Sequence, residues 1–318
     1  MKNLLALARP KGAILISTLP LVGFGYALWE RGSTVHPRYV APALFGLFVA
    51  WFLGHAGAMW LNAVLDRDEG EVLLGRAVPV PRGTGVAGYV ALALSVATAA
   101  LVGLPTAACA AACAALAILY SHPRVALKAR AIGGPLVNGV GYGSLSPIAG
   151  WLAADPVLTW RAVTSVFFAV LFILGVYFAA QAFQQSEDRE RGYRTLVATH
   201  GPRATLLAAR ACLGACALGA TFLGLWGAYP RAVLVTVPVW VAMDRHLARW
   251  LRREDGGREA DALKLVSIVS FAALVMLIAT YADQAHALYF ALPPGGCGTR
   301  VVPEALAPTC AGLGGHAG

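Results

Sequence analysis

Uncharged apolar stretches of membrane-crossing length recur along the whole chain, and nothing else in the sequence restricts the fold as strongly. An α-helix rises about 1.5 Å per residue, so roughly 20 apolar residues cross a bilayer core about 30 Å thick. Stretches of that size run from Gly12 to Trp29, Tyr39 to Leu65, Ala131 to Ala154, Ala162 to Ser186, Ala211 to Pro230 and Leu265 to Ala282. The run from Gly83 to Ser121 is too long for one crossing and divides at Gly103-Leu104-Pro105, where two helices can turn around. A further segment, Pro230 to Trp250, has Arg231 at one end and Asp244, Arg245 and Arg249 at the other. Long side chains at helix ends snorkel to the interface, so it counts as a crossing. The expected fold is all-α: a polytopic membrane protein with nine transmembrane helices around a central cavity, capped by cytoplasmic loops. Only 13% of the residues are charged, against about 25% in an ordinary soluble domain.

The distribution of positive charge tests that count. With nine helices and the N-terminus inside, inner segments hold Lys2, Arg9, Lys11, Arg67, Arg76, Arg82, Arg124, Lys128, Arg130 and every Lys and Arg of residues 189–210 and 245–264. Only Arg31, Arg38, Arg161, Arg231 and Arg300 fall outside. This is the asymmetry that the positive-inside rule requires. The net charge of +9 therefore reflects topology and calls for no nucleic-acid partner. Residues 1–30 continue the repeating pattern without a small-residue cleavage site, so the first helix is expected to stay. The membrane domain is assigned to residues 1–282 and an extracytoplasmic tail to residues 283–318. The expected location is a bacterial cytoplasmic membrane. Cys297 and Cys310 would lie in a compartment that permits a disulfide, and their pairing stays open.

Polar groups at or inside the membrane edge are expensive unless paired or used. One cluster ends the second helix, where His55, Asn62 and Asp66 are spaced seven and four apart and share a helix face, followed by Arg67, Asp68, Glu69 and Glu71. Another ends the sixth helix, where Gln181, Gln184 and Asp188 form one stripe beside Glu187. Carboxylates and amide oxygens next to arginines suit Mg²⁺ bound together with a polyphosphate, because Mg²⁺ prefers hard oxygen ligands and takes some from its substrate. Solvated loop ends with i,i+4 ion pairs are the alternative, and two clusters of like design count against it. Tyr120-Ser-His-Pro-Arg124 leads on to Lys128 and Arg130 on the same side, where cations can hold diphosphate oxygens.

These residues resemble the UbiA superfamily of intramembrane prenyltransferases. That family has nine helices and two aspartate-rich motifs, N-D-x-x-D-x-x-x-D and D-x-x-x-D-x-x-x-G, at the cytoplasmic ends of helices two and six. The first motif matches Asn62-Ala-Val-Leu-Asp66-Arg67, followed by Pro79-Val-Pro81-Arg-Gly83; the second matches Asp188-Arg-Glu-Arg-Gly192-Tyr-Arg194-Thr195-Leu196. Arg9-Pro10, Tyr120 to Lys128 and Gly134 to Gly150 are also similar to the family, so the likeness covers nearly the whole chain. The sequence departs from the pattern at Ala63 in place of an acid, at Gly70 with Asp68 and Glu71 as substitutes, and at Gln184 with Glu187 as a substitute. The resemblance implies Mg²⁺-dependent transfer of a prenyl group from an isoprenoid diphosphate to an acceptor (aromatic, ring or lipid alcohol) within the membrane. It implies Asn62, Asp66 and Asp188 as catalytic residues, with Asp68, Glu71 and Glu187 joining them around the metal. Lys128, Arg67 and Arg194 would hold diphosphate, with Tyr120, Asn138, His55 and Gln184 lining the cavity. A terpene cyclase of the same superfamily, or a non-catalytic lipid-binding or transport protein on the same fold, would present a similar sequence.

Other patterns carry less. Gly139-Val-Gly141-Tyr-Gly143 follows no strand and lies in an apolar span, where close helix packing accounts for it. Cys109/Cys113 and Cys212/Cys216 read as small buried hydrophobes among alanines rather than a zinc site.

Overall fold

The computed structural model describes residues 2–31, 37–66, 78–253 and 259–291; side chains of residues 37–39, 66, 259 and 283–291 are outside the description. A short helix α1 (Lys2–Leu7) precedes α2 (Pro10–Glu30), α3 (Pro37–Asp66), α4 (Thr84–Val102) and α5 (Leu104–Ser121). The long apolar run breaks where the sequence places it: Gly103 is extended, and Pro105 sits in the first turn of α5, where its missing N–H costs nothing. Then follow a 3₁₀ turn (Leu127–Ala129), α6 (Gly133–Asn138), a π segment (Gly139–Leu145) and α7 (Ser146–Ala154). Backbone angles stay helical at both junctions, so Gly133–Ala154 is one rod carrying a π turn. The chain continues through α8 (Trp160–Gln181), α9 (Gln185–Glu190), α10 (Leu196–Leu225), a 3₁₀ segment (Arg231–Thr236), α11 (Val237–Trp250) and α12 (Glu259–Ala291).

Among the described residues, seven helices are long and apolar enough to cross a membrane: α2, α3, α4, α5, α8, α10 and α12. The other two expected crossings are segmented. Gly133–Ala154 is interrupted by its π turn, and Arg231–Trp250 starts as a 3₁₀ coil and exposes Asp244 and Arg245 on α11 while burying Met243, Leu247 and Trp250. The sixth span ends at Gln181, short of Ser186, because the chain turns into α9. The seventh begins at Leu196, well before Ala211, because Thr195 caps its N-terminus by accepting from the Ala198 N–H at 3.3 Å. Its first turns carry His200 and Arg203, which mask it in a hydropathy reading, and it kinks at Gly201 (φ 82°), just before Pro202. The backbone of α12 runs on past residue 282 to Ala291; Cys297 and Cys310 lie outside the described residues.

Two buried clusters build the bundle. One joins α2, α3, α5 and α7 around Phe24, Leu47, Trp51 and Trp151; the other joins α8, α10, α11 and α12 around Leu206, Leu213, Leu247 and Trp250. α2 and α7 cross so closely that a Cβ on Gly150 would strike the Pro20 carbonyl and one on Gly23 the Pro147 carbonyl. Small residues at a crossing let backbones approach where lipid supplies no hydrophobic drive. The outer surface is apolar, with Phe45, Leu101, Leu104 and Leu218 exposed. That inside-out pattern on helices of crossing length makes the chain an integral membrane protein.

Candidate active site

A cavity of about 390 Å³ lies between the two clusters, lined from α2, α3, α4, α5, the π rod, α8, α9 and α12. Its deep end is closed by Trp51, whose indole N–H donates to Ser146 Oγ at 2.7 Å. Ser146 in turn donates to the Gly141 carbonyl at 2.9 Å, tying α3 to the π turn. Above this floor the walls are mainly Leu, Ile, Val and Ala, with His55 Nδ1 3.1 Å from the Tyr142 hydroxyl.

The mouth is polar, and four separate parts of the chain make it. From the end of α3, Asn62 Oδ1 accepts from Ser121 Oγ at 2.8 Å and from Lys128 Nζ at 3.4 Å. Lys128 is buried in the 3₁₀ turn after α5, and burial first, then the field of Arg191, pushes its ammonium down to about 8. Arg9 comes from the start of α2 and lines the same space. Among the described residues, the non-glycine positions with positive φ are Arg9 (48°) and Ala126 (41°). One is a cavity cation and the other opens the turn that carries Lys128, so strained backbone sits where charge is presented.

The second motif supplies the opposite wall. The chain leaves α8 at Gln181, turns at Gln184 and enters α9, which carries Glu187 and Asp188. The Asp188 carboxylate accepts from the Thr195 hydroxyl at 2.5 Å, and the Asp188 carbonyl accepts the Tyr193 N–H at 2.8 Å. Burial raises the Asp188 carboxyl above the usual range, against the opposing pull of the Thr195 hydrogen bond and Arg191. Glu187 pairs with Arg191 at 2.8 Å. Gln181 donates from Nε2 to the Tyr177 hydroxyl at 2.8 Å, while among the described residues its buried Oε1 has no hydrogen-bond partner. Asn138 Nδ2 donates to the Gly134 carbonyl at 2.9 Å.

The fold thus gathers His55, Asn62, Tyr120, Lys128, Asn138, Gln184, Glu187 and Asp188 around one space. Arg194 is placed elsewhere: its backbone N–H bonds the Ala129 carbonyl at 2.8 Å, stitching the two cap loops together, and it is absent from the cavity wall. Asp66 ends α3, but its side chain lies outside the described residues, as do Arg67, Asp68 and Glu71. Among the described residues no three His, Cys, Asp or Glu side chains cluster as a metal site, and Asp188 and Glu187 are the acids on the wall. Sequence reasoning did not assign Arg9, Arg191, Tyr142, Tyr177 and Thr195 to the site, although Arg9-Pro10 at the entry to the first span was a usable signal.

The fold is shared with solved proteins. A UbiA homologue from Archaeoglobus fulgidus, solved with DMAPP and Mg²⁺, superposes with a TM-score of 0.68 at 19% identity, covering 89% of this chain and 99% of that one. A homologue from Aeropyrum pernix K1 gives 0.63 at 18% identity over 85% and 97% of the two chains. A digeranylgeranylglyceryl phosphate synthase gives 0.60 at 16% identity over 91% and 98%. No curated protein matches the chain in sequence. The model of the UbiA prenyltransferase family matches residues 18–268, from within α2 into α12, and the chain belongs to that family.

Proposed function

We propose that the protein transfers a prenyl group from an isoprenoid diphosphate to an acceptor within the membrane, with Mg²⁺ at the diphosphate. One observation carries the reading: a largely apolar cavity inside a membrane bundle holds its cations and its hard oxygen donors together at one end. Relatives on the same fold support it, since the Archaeoglobus fulgidus homologue was solved with Mg²⁺ and either DMAPP or GPP.

The donor's diphosphate lies at the mouth and its chain follows the apolar walls inward. Lys128, Arg9 and Arg191, with Arg67, hold the diphosphate oxygens and stabilise the negative charge that builds as the carbon–oxygen bond breaks. The donor set fits Mg²⁺: Asp188, Glu187, Gln184 and the unpartnered Gln181 Oε1 are hard oxygens at one wall, and Asp66, Asp68 and Glu71 belong to the facing motif. When bound, Mg²⁺ supplies positive charge to the leaving diphosphate. Asn62, bonded by Ser121 and Lys128, orients the lysine ammonium toward the mouth. Thr195 fixes the Asp188 carboxylate. The apolar walls keep water from the allylic cation until the acceptor's electron pair closes the new bond.

The test is diphosphate release by purified protein supplied with geranyl, farnesyl or geranylgeranyl diphosphate, in Mg²⁺ or EDTA. Metal-dependent release is expected, falling by about 100-fold or more in Asp66→Ala and Asp188→Ala. A second product that incorporates an acceptor identifies transfer; a hydrocarbon or terpenol from the donor alone identifies cyclisation. No release from any donor, with acceptors present, would leave a lipid-binding or transport protein on this fold.

A further inference from the structure

Two polar side chains stand deep in the cavity, apart from the cluster at its mouth. His55 precedes Asn62 by seven residues on α3, which places it two helical turns, or about 10 Å, farther into the membrane. Its Nδ1 meets the Tyr142 hydroxyl at 3.1 Å, and the two ring centroids are 6.0 Å apart. Tyr142 is carried by the π turn, and π turns gather at functional sites. The cavity wall includes Leu92, Ala114, Leu116 and Ile173, and Arg9, Cys113 and Tyr120 are within electrostatic reach of the pair. An imidazole and a phenol at this depth are costly unless they serve a purpose. They satisfy each other through one hydrogen bond, and among the described residues no protein group partners His55 Nε2.

We propose that His55, steadied by Tyr142, takes up the proton released after the donor's cation has formed its new carbon–carbon bond. The inference rests on the prenyl-diphosphate reading above. The carbon–oxygen bond breaks with its electron pair leaving on the diphosphate. A carbon–carbon π bond then attacks the allylic cation, a new single bond forms, and the positive charge moves to the adjacent carbon. Loss of a proton beside that carbon returns the C–H pair to a double bond, and the proton passes to His55 Nε2. The tautomer that donates Nδ1–H to the Tyr142 oxygen leaves the Nε2 lone pair open to the cavity, and the imidazolium retains the same hydrogen bond. A base at this depth reaches an acceptor ring seated beneath the donor's head, or distal carbons of the donor's own chain. Both lose the same kind of proton. Lys128 and the arginines stand at the mouth and carry charge, so His55 is the neutral nitrogen base among the described cavity residues.

The experiment measures diphosphate and organic product together, with geranylgeranyl diphosphate and Mg²⁺ in nanodiscs, alone and with a simple phenol. In His55→Gln, diphosphate release is expected to persist while bonded product per diphosphate falls by about 100-fold. Tyr142→Phe, which keeps the base and loosens it, is expected to lower that ratio by a smaller factor. Loss seen only with the phenol assigns the proton to the acceptor; loss seen without it assigns the proton to the chain. An unchanged ratio in His55→Gln overturns the proposal, because the diphosphate itself would then be the base. An equal fall in release and product also overturns it, reducing His55 to a shaper of the cavity. Absence of release from the wild type overturns the prenyl-diphosphate reading instead, and that arm is read before any variant. Should the wild type yield only prenyl alcohol, diethyl pyrocarbonate modification of His55 decides. Protection by geranylgeranyl thiolodiphosphate with Mg²⁺ supports an Nε2 facing the filled cavity, and unchanged reactivity removes it.

Discussion

The two ends of the bundle put polar residues to different uses. At the closed end, where α2 finishes and α8 begins, charged groups neutralise one another across elements. Arg31 bonds Asp155, Arg161 lies 3.5 Å from Glu30, and Thr159 donates to the same Glu30 at 2.8 Å. Arg161 also lies over the rings of Trp29 and Trp160. At the mouth, beside the Glu187–Arg191 pair, neutral groups also hold charge: Thr195 fixes Asp188, Asn62 accepts from both Ser121 and Lys128, and among the described residues Gln181 Oε1 has no partner. Charges paired across elements at the closed end fasten helices, while the mouth gathers cations and acids around a cavity, where their field meets something that enters.

The sharpest way to break this comparison is to exchange stability for function at the mouth. Gln181→Leu removes both the orphaned oxygen, whose burial costs about 1–3 kcal/mol, and the bond to Tyr177, worth about 1 kcal/mol, so Tm should hold or change little. Diphosphate release should nevertheless fall by 10- to 100-fold, a fall of about the size seen when groups around a metal are lost. A fall in both quantities would make Gln181 structural. The converse change at the closed end is Asp155→Asn. It removes one partner of a part-exposed ion pair, so stability should drop by about 1–2 kcal/mol, or about 2–4 °C in Tm for each kcal/mol. Release per folded molecule should stay within about twofold of wild type. A large loss of turnover with an unchanged Tm would erase the distinction between the ends.

The smallest effect concerns Lys128, whose pKa in the fold lies near 8, below the ordinary 10.5. The folded protein therefore loses this charge as pH rises through about 8, whereas an unfolded chain keeps it to about 10.5. Burying the ammonium costs stability below pH 8, and that cost is relieved between the two values. Binding of inorganic diphosphate in EDTA should weaken by about threefold from pH 7.5 to 8.5, and Lys128→Arg should flatten the profile.

Parts of the site were legible because they are local. Asn62 and His55 share a face through helical spacing, and Gly103-Leu104-Pro105 announces its own break. Arg194 shows where local reasoning fails. Its neighbours Asp188 and Thr195 enter the site, but the turn between α9 and α10 spends its backbone on Ala129 and carries it away from the cavity. Arg9 shows the reverse: a residue before the first span reaches the cavity through its own left-handed step, which turns the chain between α2 and an α1 packed on α3 and which no periodicity encodes. The start of α10 was hidden because hydropathy averages His200 and Arg203 into a loop, while a threonine cap and its packing on α8 make them helical.

By itself the sequence determined the solvent, the class of fold and the positions of most crossings, because a bilayer imposes length and apolarity on each helix separately. It also determined which residue types stand at the membrane edge. Tertiary structure alone decided that Arg9, Asn62, Lys128 and Asp188 share one mouth, that His55 meets Tyr142 beneath it, and that two crossings are segmented. Those outcomes depend on how helices cross, at contacts such as Gly150 against Pro20 and Gly23 against Pro147, and the crossing is set jointly by residues far apart in the chain.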